Sequence, residues 1–160
     1  MKTSRQIPKA QSGVALIEAM ISILLFAIAI LGLIALQMNA VRFSTDAKYR
    51  SVASLLIDQM ISEMRVADPL LLAGYALTDT GATSSAASTA WANKVKASLP
   101  GVHAASAGDQ STLPTIRVVE TTNTALNSTV RQVIITVFWA LPGQTTDAHQ
   151  HQISAFIGAT

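Results

Sequence analysis

The sequence predicts an α+β protein in which a long N-terminal α-helix, transmembrane in its first half, packs by its second half on a small antiparallel β-sheet head. Three observations lead to this fold class. An apolar stretch runs from Val14 to Leu36, and apolar residues then recur at helical spacing as far as Val66. After Leu113 apolar residues alternate with polar ones, which is the pattern of half-buried strands.

The composition is that of a membrane-anchored chain rather than of an ordinary soluble domain. Of the 160 residues, 50% are hydrophobic and only 12% are charged. The formal net charge of +2 arises from Lys2, Arg5 and Lys9, and the chain after Gly13 carries a small acidic excess. No basic patch for nucleic acid is therefore evident. The chain has no Cys, which excludes disulfides and Cys-ligated metals.

The apolar stretch from Val14 to Leu36 is long enough to span a bilayer, because about 20 apolar residues cross the hydrocarbon core. Glu18 is its only charged residue. A cleaved secretory signal is the alternative, but such a signal has an apolar core of roughly 7–15 residues followed by small residues. The stretch here is longer, and residues 36–40 offer a poor cleavage site. Basic residues on both sides favour a cytoplasmic N-terminus only slightly.

The helix is expected to continue beyond the span to about Val66, because neither Pro nor Gly occurs between Gln37 and Asp68. Asp68-Pro69 is the predicted stop, since the residue before a proline is pushed out of the helical region. One face of this extension is expected to pack on the head through apolar residues at helical spacing: Val52, Leu55, Leu56, Met60 and Met64.

Between the long helix and the strands, the sequence predicts an apolar loop, a connector and a short helix. The loop covers Leu70–Tyr75. The connector covers Thr78–Thr89, and its Ala, Ser, Thr, Gly and Asp composition predicts a flexible segment. A short amphipathic helix closed by Pro100-Gly101 is predicted from three apolar residues at four-residue spacing: Trp91, Val95 and Leu99.

Three strands are predicted in the last third of the chain: Thr115–Thr121, Val130–Leu141 and His151–Ile157. Turn-forming segments, Asn123–Ser128 and Pro142-Gly143, separate them, so the strands are expected to form an antiparallel meander. One face of the second strand is expected to cover the apolar stripe of the long helix, through Val133, Ile135, Val137 and Trp139.

The N-terminal segment carries a resemblance to a known family. A basic leader ends at Gly13, the apolar helix begins at Val14, and Glu18 follows five residues after the Gly. This order, with a helical extension and a small α+β head, resembles the type IV pilin-like proteins. The runs 15–20 and 29–37 are most similar to the PilV family of minor pilins. The resemblance divides the chain into a prepilin leader peptide (1–13), a transmembrane and filament-core helix (14–36), a helical extension (37–67) and a globular head (68–160).

The resemblance implies a role for each residue of the motif. A prepilin peptidase would cut after Gly13, and the new N-terminal residue Val14 would be N-methylated. Glu18 would then pair with a terminal amine during assembly, which is its implied role in subunit docking. Two departures from the family pattern stand out: Val14 occupies a position that is often Phe, and the apolar helix lacks the Pro that many major pilins carry.

The resemblance also implies a function, partners and a location. PilV-like proteins are minor pilins of the type IV pilus that help to prime pilus assembly and lie at or near the filament tip. The implied partners are other minor pilins and the major pilin, the prepilin peptidase, the inner-membrane pilus assembly machinery, a tip adhesin, and membrane lipid before assembly. The implied location is the inner membrane, single-pass with a periplasmic head, and then the extracellular pilus. The alternatives are a minor pseudopilin of a type II secretion system and a single-pass membrane-anchored binding module or enzyme.

The chemistry of the motif is consistent with these roles. A free α-amine has a pKa of about 8, so it is mostly a cation at neutral pH. Within an apolar filament core such a cation needs a carboxylate partner, which Glu18 can supply. The alternative is that the Glu18 side chain only reaches water among the lipid headgroups. The combination of Gly13, the leader and the long span favours the first interpretation.

The other residues that could form a metal, catalytic or ligand-binding site are better explained by packing or by exposure to solvent. His149 and His151 lack an evident third metal ligand, so a solvated terminal strand is favoured over a metal site. No nucleophile motif or phosphate-binding loop is present, so neither catalysis nor a cofactor is expected. Core packing is expected for four apolar or aromatic residues, and a solvated face for Lys94 and Lys96; the four are Trp91, Trp139, Met60 and Met64.

Overall fold

The computed structural model describes residues 12–106, 109–123, 128–141 and 148–158. The chain forms two compact units, the first extending to Ser44 and the second beginning at Thr45. Six elements follow one another: α1 (Ser12–Val66), a 3-10 helix (Pro69–Tyr75), α2 (Ala86–Ser98), β1 (Thr115–Asn123), β2 (Ser128–Trp139) and β3 (His149–Gly158). The predicted α+β class is confirmed, with a long apolar helix followed by a small antiparallel sheet.

Helix α1 ends where the sequence predicts. Its last residue is Val66, and Asp68 and Pro69 then begin a different helix. The Asp68 carboxylate accepts a hydrogen bond from the backbone N–H of Leu70 at 2.9 Å, and proline fits this first turn because it needs no N–H donor there. At the other end α1 starts at Ser12, slightly before the predicted Val14.

The segment predicted as an apolar loop at Leu70–Tyr75 is a 3-10 helix, so that prediction was wrong. Leu72 is fully buried and anchors this helix to the core, whereas Leu70 and Leu71 remain exposed. A 3-10 helix has three residues per turn, and so short an element gives little periodic signal in a sequence.

The connector predicted to be flexible at Thr78–Thr89 is also ordered, which corrects a second expectation. The Thr78 hydroxyl accepts from the N–H of Ala82 at 3.1 Å, and the Ser84 hydroxyl donates to the carbonyl of Gly74 at 3.1 Å. Helix α2 begins within the segment, where the Ser85 side chain caps it by accepting from the N–H of Ser88. Ser88 itself is fully buried. Short hydroxyl side chains can thus fix a backbone that their composition alone suggests is mobile.

The sheet has the strand order β1-β2-β3, and both pairs are antiparallel. The predicted meander is therefore observed. Strands β1 and β3 are longer than predicted, whereas β2 both begins and ends two residues earlier than predicted, at Ser128 and Trp139. The register places Ile116 opposite Ile135 and Val133 opposite Ala155. Residues 124–127 and 142–147, which contain most of the two predicted turns, lie outside the described residues.

The core of the second unit lies between the sheet and one face of α1. Val133, Ile135, Val137 and Trp139 of β2 are all fully buried, as predicted. Met60 and Met64 also belong to this core, but Leu55 does not, because it is 68% exposed. The apolar stripe is centred on residues 53, 57, 60 and 64, and Leu55 is two residues from Ala53, which is about 200° around the helix.

Helix α2 completes the core through the three predicted residues Trp91, Val95 and Leu99, all of which are buried. Helix α2 ends at Ser98, and the turn that follows contains Gly101, whose φ of +71° is readily adopted only by glycine. A Cβ atom at this position would lie 2.6 Å from the Cβ of Ala140. The chain therefore passes close to the end of β2, where the Ala140 N–H donates to the Pro100 carbonyl at 3.0 Å.

Candidate functional site

The motif residues lie in the first turns of α1. Gly13, Val14 and Glu18 are helical, whereas the preceding leader residues 1–11 lie outside the described residues. Val14 is 69% exposed, and Glu18 is exposed as well. Among the residues that the structure describes, none of the ion pairs includes Glu18. Its carboxylate is thus available to a group from outside this chain or to a new amine at its own N-terminus.

The spacing of the motif places Val14 and Glu18 on one face of α1. Val14 and Glu18 are four residues apart in α1, which corresponds to about one turn and about 6 Å of rise. Helical side chains lean toward the N-terminus, so a Glu side chain at position 18 is within reach of the turn that contains Val14. Cleavage before Val14 would create an α-amine within one turn of this carboxylate.

The apolar side chains of the first unit are exposed throughout its described residues. Every described residue from Val14 to Ser44 is exposed, including large side chains such as Leu16 at 66%, Phe26 at 68% and Leu31 at 66%. Among the described helices, α1 has the one segment whose length and composition would allow a membrane crossing. Burial of so much apolar surface requires an environment outside the chain, such as lipid or other helices.

In the second unit, the two tryptophans that could have formed a ligand-stacking pair are core residues, as predicted. The indole N–H of Trp91 donates to the Leu56 carbonyl at 2.8 Å, which ties α2 to α1. The indole N–H of Trp139 donates to Asp46 Oδ1 at 3.2 Å, and Trp139 is fully buried. Both indole N–H groups therefore have a hydrogen-bond acceptor within the fold.

Asp46 is the centre of a polar cluster that the sequence did not reveal. Its Oδ1 lies 3.4 Å from Nδ1 of His149, and its Oδ2 lies 3.7 Å from the Arg50 guanidinium. The His149 ring stacks on Trp139, with 5.7 Å between centroids and 13° between planes. Asp46 and Trp139 are 93 positions apart, so no local pattern could have connected them.

The cluster changes the interpretation of the histidines. His149 is half-buried and packed between Asp46 and Trp139, so the expectation of a solvated strand was wrong for this residue. Within the described part of the chain, no group of three His, Cys, Asp or Glu side chains has the arrangement of a metal site.

Lys94 is exposed as expected, but it is not merely solvated. Its Nζ donates to Oε1 of Gln59 at 2.6 Å, which adds a second link between α2 and α1. On the sheet, Arg131 is buried and its Nε donates to Oε1 of Glu120 at 2.6 Å, so this charge is paired across strands β1 and β2. Both pairs are structural contacts inside the second unit.

Comparison with protein families identifies one motif. The model of the prokaryotic N-terminal methylation motif matches residues 8–34, a segment that includes Gly13, Val14 and Glu18. Neither the curated proteins nor the solved structures contain a match to this chain. The motif and the apolar helix that it opens indicate a type IV pilin-like protein, of a pilus or of a pseudopilus. They also suggest membrane anchoring, processing by a prepilin peptidase and use by pilus-type machinery.

Proposed function

We propose that this protein is a minor pilin of a type IV pilus, similar to the PilV family, which helps to prime pilus assembly at or near the filament tip. The observation that carries the proposal is the motif Gly13–Glu18 at the start of an apolar helix whose described residues from Val14 to Ser44 are all exposed. The role is structural and not enzymatic. The protein is held in the inner membrane by α1, with a periplasmic head, before it enters the extracellular pilus.

Each motif residue has a distinct role in this proposal. Gly13 provides an unhindered backbone for the peptidase, because it has no side chain beside the cut bond. Val14 becomes the N-methylated terminus. Glu18 pairs with a terminal amine, from the same or a neighbouring subunit, and removes the penalty of an unpaired charge in an apolar core. The exposed side chains of the first unit then pack against neighbouring helices in place of lipid.

A substitution at Glu18 tests the docking role. Glu18→Ala should reduce incorporation of the protein into filaments by about 10-fold or more, because an unpaired buried charge costs a few kcal/mol. Membrane insertion and cleavage after Gly13 should be largely unchanged. The matched control is Glu63→Ala, which removes an exposed carboxylate from the same helix within the second unit. Immunoblots of sheared filaments and membranes provide the measurement, and equal incorporation of both variants would contradict the docking role.

The partners distinguish the pilus from a pseudopilus, which the same motif also permits. In the pilus interpretation, cross-linking in cells should connect this protein to other minor pilins, the major pilin and a tip adhesin. In the alternative, a minor pseudopilin of a type II secretion system, it should connect the protein to pseudopilins. If the protein is anchored in the membrane but never cross-links to any such subunit, both the pilus and the pseudopilus interpretations are wrong.

A further inference from the structure

The two edges of the sheet are protected very differently. On the outer side of β1, Leu77 and Ile116 exchange two backbone hydrogen bonds of 2.9 Å each, so part of this edge is already paired. Strand β1 also carries the exposed charged side chains Arg117 and Glu120. Charges and covering segments are the usual devices that prevent an edge strand from pairing with another chain.

Strand β3 is the other edge, and it has few of these devices. It is 10 residues long and contains no Pro, Lys, Arg, Asp or Glu. Within the described ranges, no residue pairs with its outer side. Because only alternate residues of an antiparallel strand bond to one neighbour, about half of its N–H and C=O groups point outward. This row of groups can be satisfied by an extended backbone.

An apolar side chain marks the same edge. Phe156 is 67% exposed on the outer face of the sheet, whereas its neighbours Ala155 and Ile157 are buried on the core face. Its register partner on β2 is Gln132, and Val130, 40% exposed, lies nearby opposite Gly158. A strand added beside β3 would therefore bring one of its own side chains against Phe156.

We propose that the outer edge of β3 binds an extended, uncharged segment of another subunit of the same filament, which adds a strand to the sheet. The segment carries an apolar residue opposite Phe156. This inference rests on the proposed function, because that function is what makes the partner a subunit of the same filament. The backbone of β3 supplies the affinity, and the Phe156 position supplies the specificity.

A second copy of this chain is a poorer occupant than a different subunit. If two β3 strands paired antiparallel along most of their length, residues of the same face would meet, and Phe156 would lie opposite Gln150 or Gln152. In the register that places the Phe156 residues of the two copies opposite each other, only the last few residues of each strand would overlap. Neither register gives Phe156 an apolar partner together with a long ladder.

The test uses the full-length chain in detergent, mixed in turn with each of the other major and minor pilins of the organism that produces it. Hydrogen exchange of the backbone amides is followed by mass spectrometry. With one of these subunits, exchange in β3 should slow by about 10-fold or more, while exchange in β1 should not change. Ser154→Lys, which adds a charge at an exposed position of β3, should raise the Kd by about 10-fold or more. The control Thr121→Lys, on the outer face of β1, should change it less than about twofold.

A second pair of variants tests the role of the aromatic residue. Phe156→Ala should weaken the complex, whereas Leu55→Ala, which removes a side chain of matched exposure from α1, should not. The inference is overturned, with the proposed function intact, if the chain enters filaments but no subunit slows exchange in β3, or if the two Lys variants behave alike. Slowing of β3 exchange in the chain alone at rising concentration would assign the edge to a second copy and also overturn it. If the chain neither enters filaments nor binds any of these subunits, the proposed function fails as well.

Discussion

The two units of this protein use apolar residues in opposite ways. In the first unit Ile28 is 57% exposed, and no described residue from Val14 to Ser44 is buried. In the second unit Ile57, on the same helix, is fully buried beneath the sheet. The same residue type thus stabilises the head in one place and depends on a surrounding environment in the other. Helix α1 therefore supplies core residues in the second unit and only exposed apolar residues in the first.

Replacing an isoleucine of each unit by alanine should give the largest difference in the free energy of unfolding. Ile57→Ala should lower the free energy of unfolding of the head by about 2–5 kcal/mol, because it removes buried methyl groups and leaves a cavity. Ile28→Ala should change this free energy by less than about 0.5 kcal/mol, because no core contact is lost. Urea denaturation of the full chain in detergent, followed by tryptophan fluorescence, measures both. A comparable loss for Ile28→Ala would contradict the division between the units.

Two glycines, Gly32 in the first unit and Gly101 in the second, allow another comparison of the two units. Gly101→Ala should destabilise the head by about 2–4 kcal/mol, because it places a side chain at positive φ and against Ala140. Gly32→Ala should leave the head unaffected, because a Cβ at Gly32 meets nothing within 4 Å. Thermal unfolding monitored by circular dichroism distinguishes them, and an unchanged midpoint for Gly101→Ala would show that the chain relaxes there.

A smaller effect is expected for the hydrogen bond between α2 and α1. Trp91→Phe removes the indole N–H that donates to the Leu56 carbonyl and should cost about 1–2 kcal/mol. The aromatic packing is largely retained, so the loss should be well below that of Ile57→Ala. Denaturant midpoints of the two variants, measured under identical conditions, provide the comparison. If Trp91→Phe were neutral, the bond would contribute nothing to the head.

The smallest effect is expected in the polar cluster around Asp46. Asp46→Asn keeps an acceptor for the Trp139 indole but removes the attraction to Arg50 and His149. Because these groups are partly exposed, the cost should be about 1 kcal/mol or less. High salt should reduce the difference between the variant and the original protein. A loss as large as that of a core substitution would show that the cluster governs the fold.

The features that were predictable from sequence are those with a local pattern. The apolar stretch after Gly13, the end of α1 before Pro69 and the buried alternation of β2 all follow from the order of neighbouring residues. The stripe on α1 was predicted only in part. Leu55 was included but is exposed, and Ala53, Ile57 and Ile61 were not included but are buried. Of the adjacent residues Leu55 and Leu56, the structure shows that Leu56 is the one in the core.

The features that were not predictable depend on long-range or side-chain contacts. The segment after Thr78 is fixed by hydroxyl groups that bond to the backbone, and composition alone does not report such bonds. The contact between Asp46 and Trp139 joins residues that are 93 positions apart in the sequence. The methylation motif was recognisable because its residues are consecutive, whereas the partners of the head depend on surfaces that only the fold creates.

We propose that the Gly13–Glu18 stretch is a processing and docking motif rather than a simple anchor. The most direct measurement is the intact mass of the mature protein, isolated from cells with an active prepilin peptidase. We expect the mass of a chain that begins at Val14 and carries one added methyl group on its terminal amine. A protein whose N-terminus is still Met1 in such cells would contradict it.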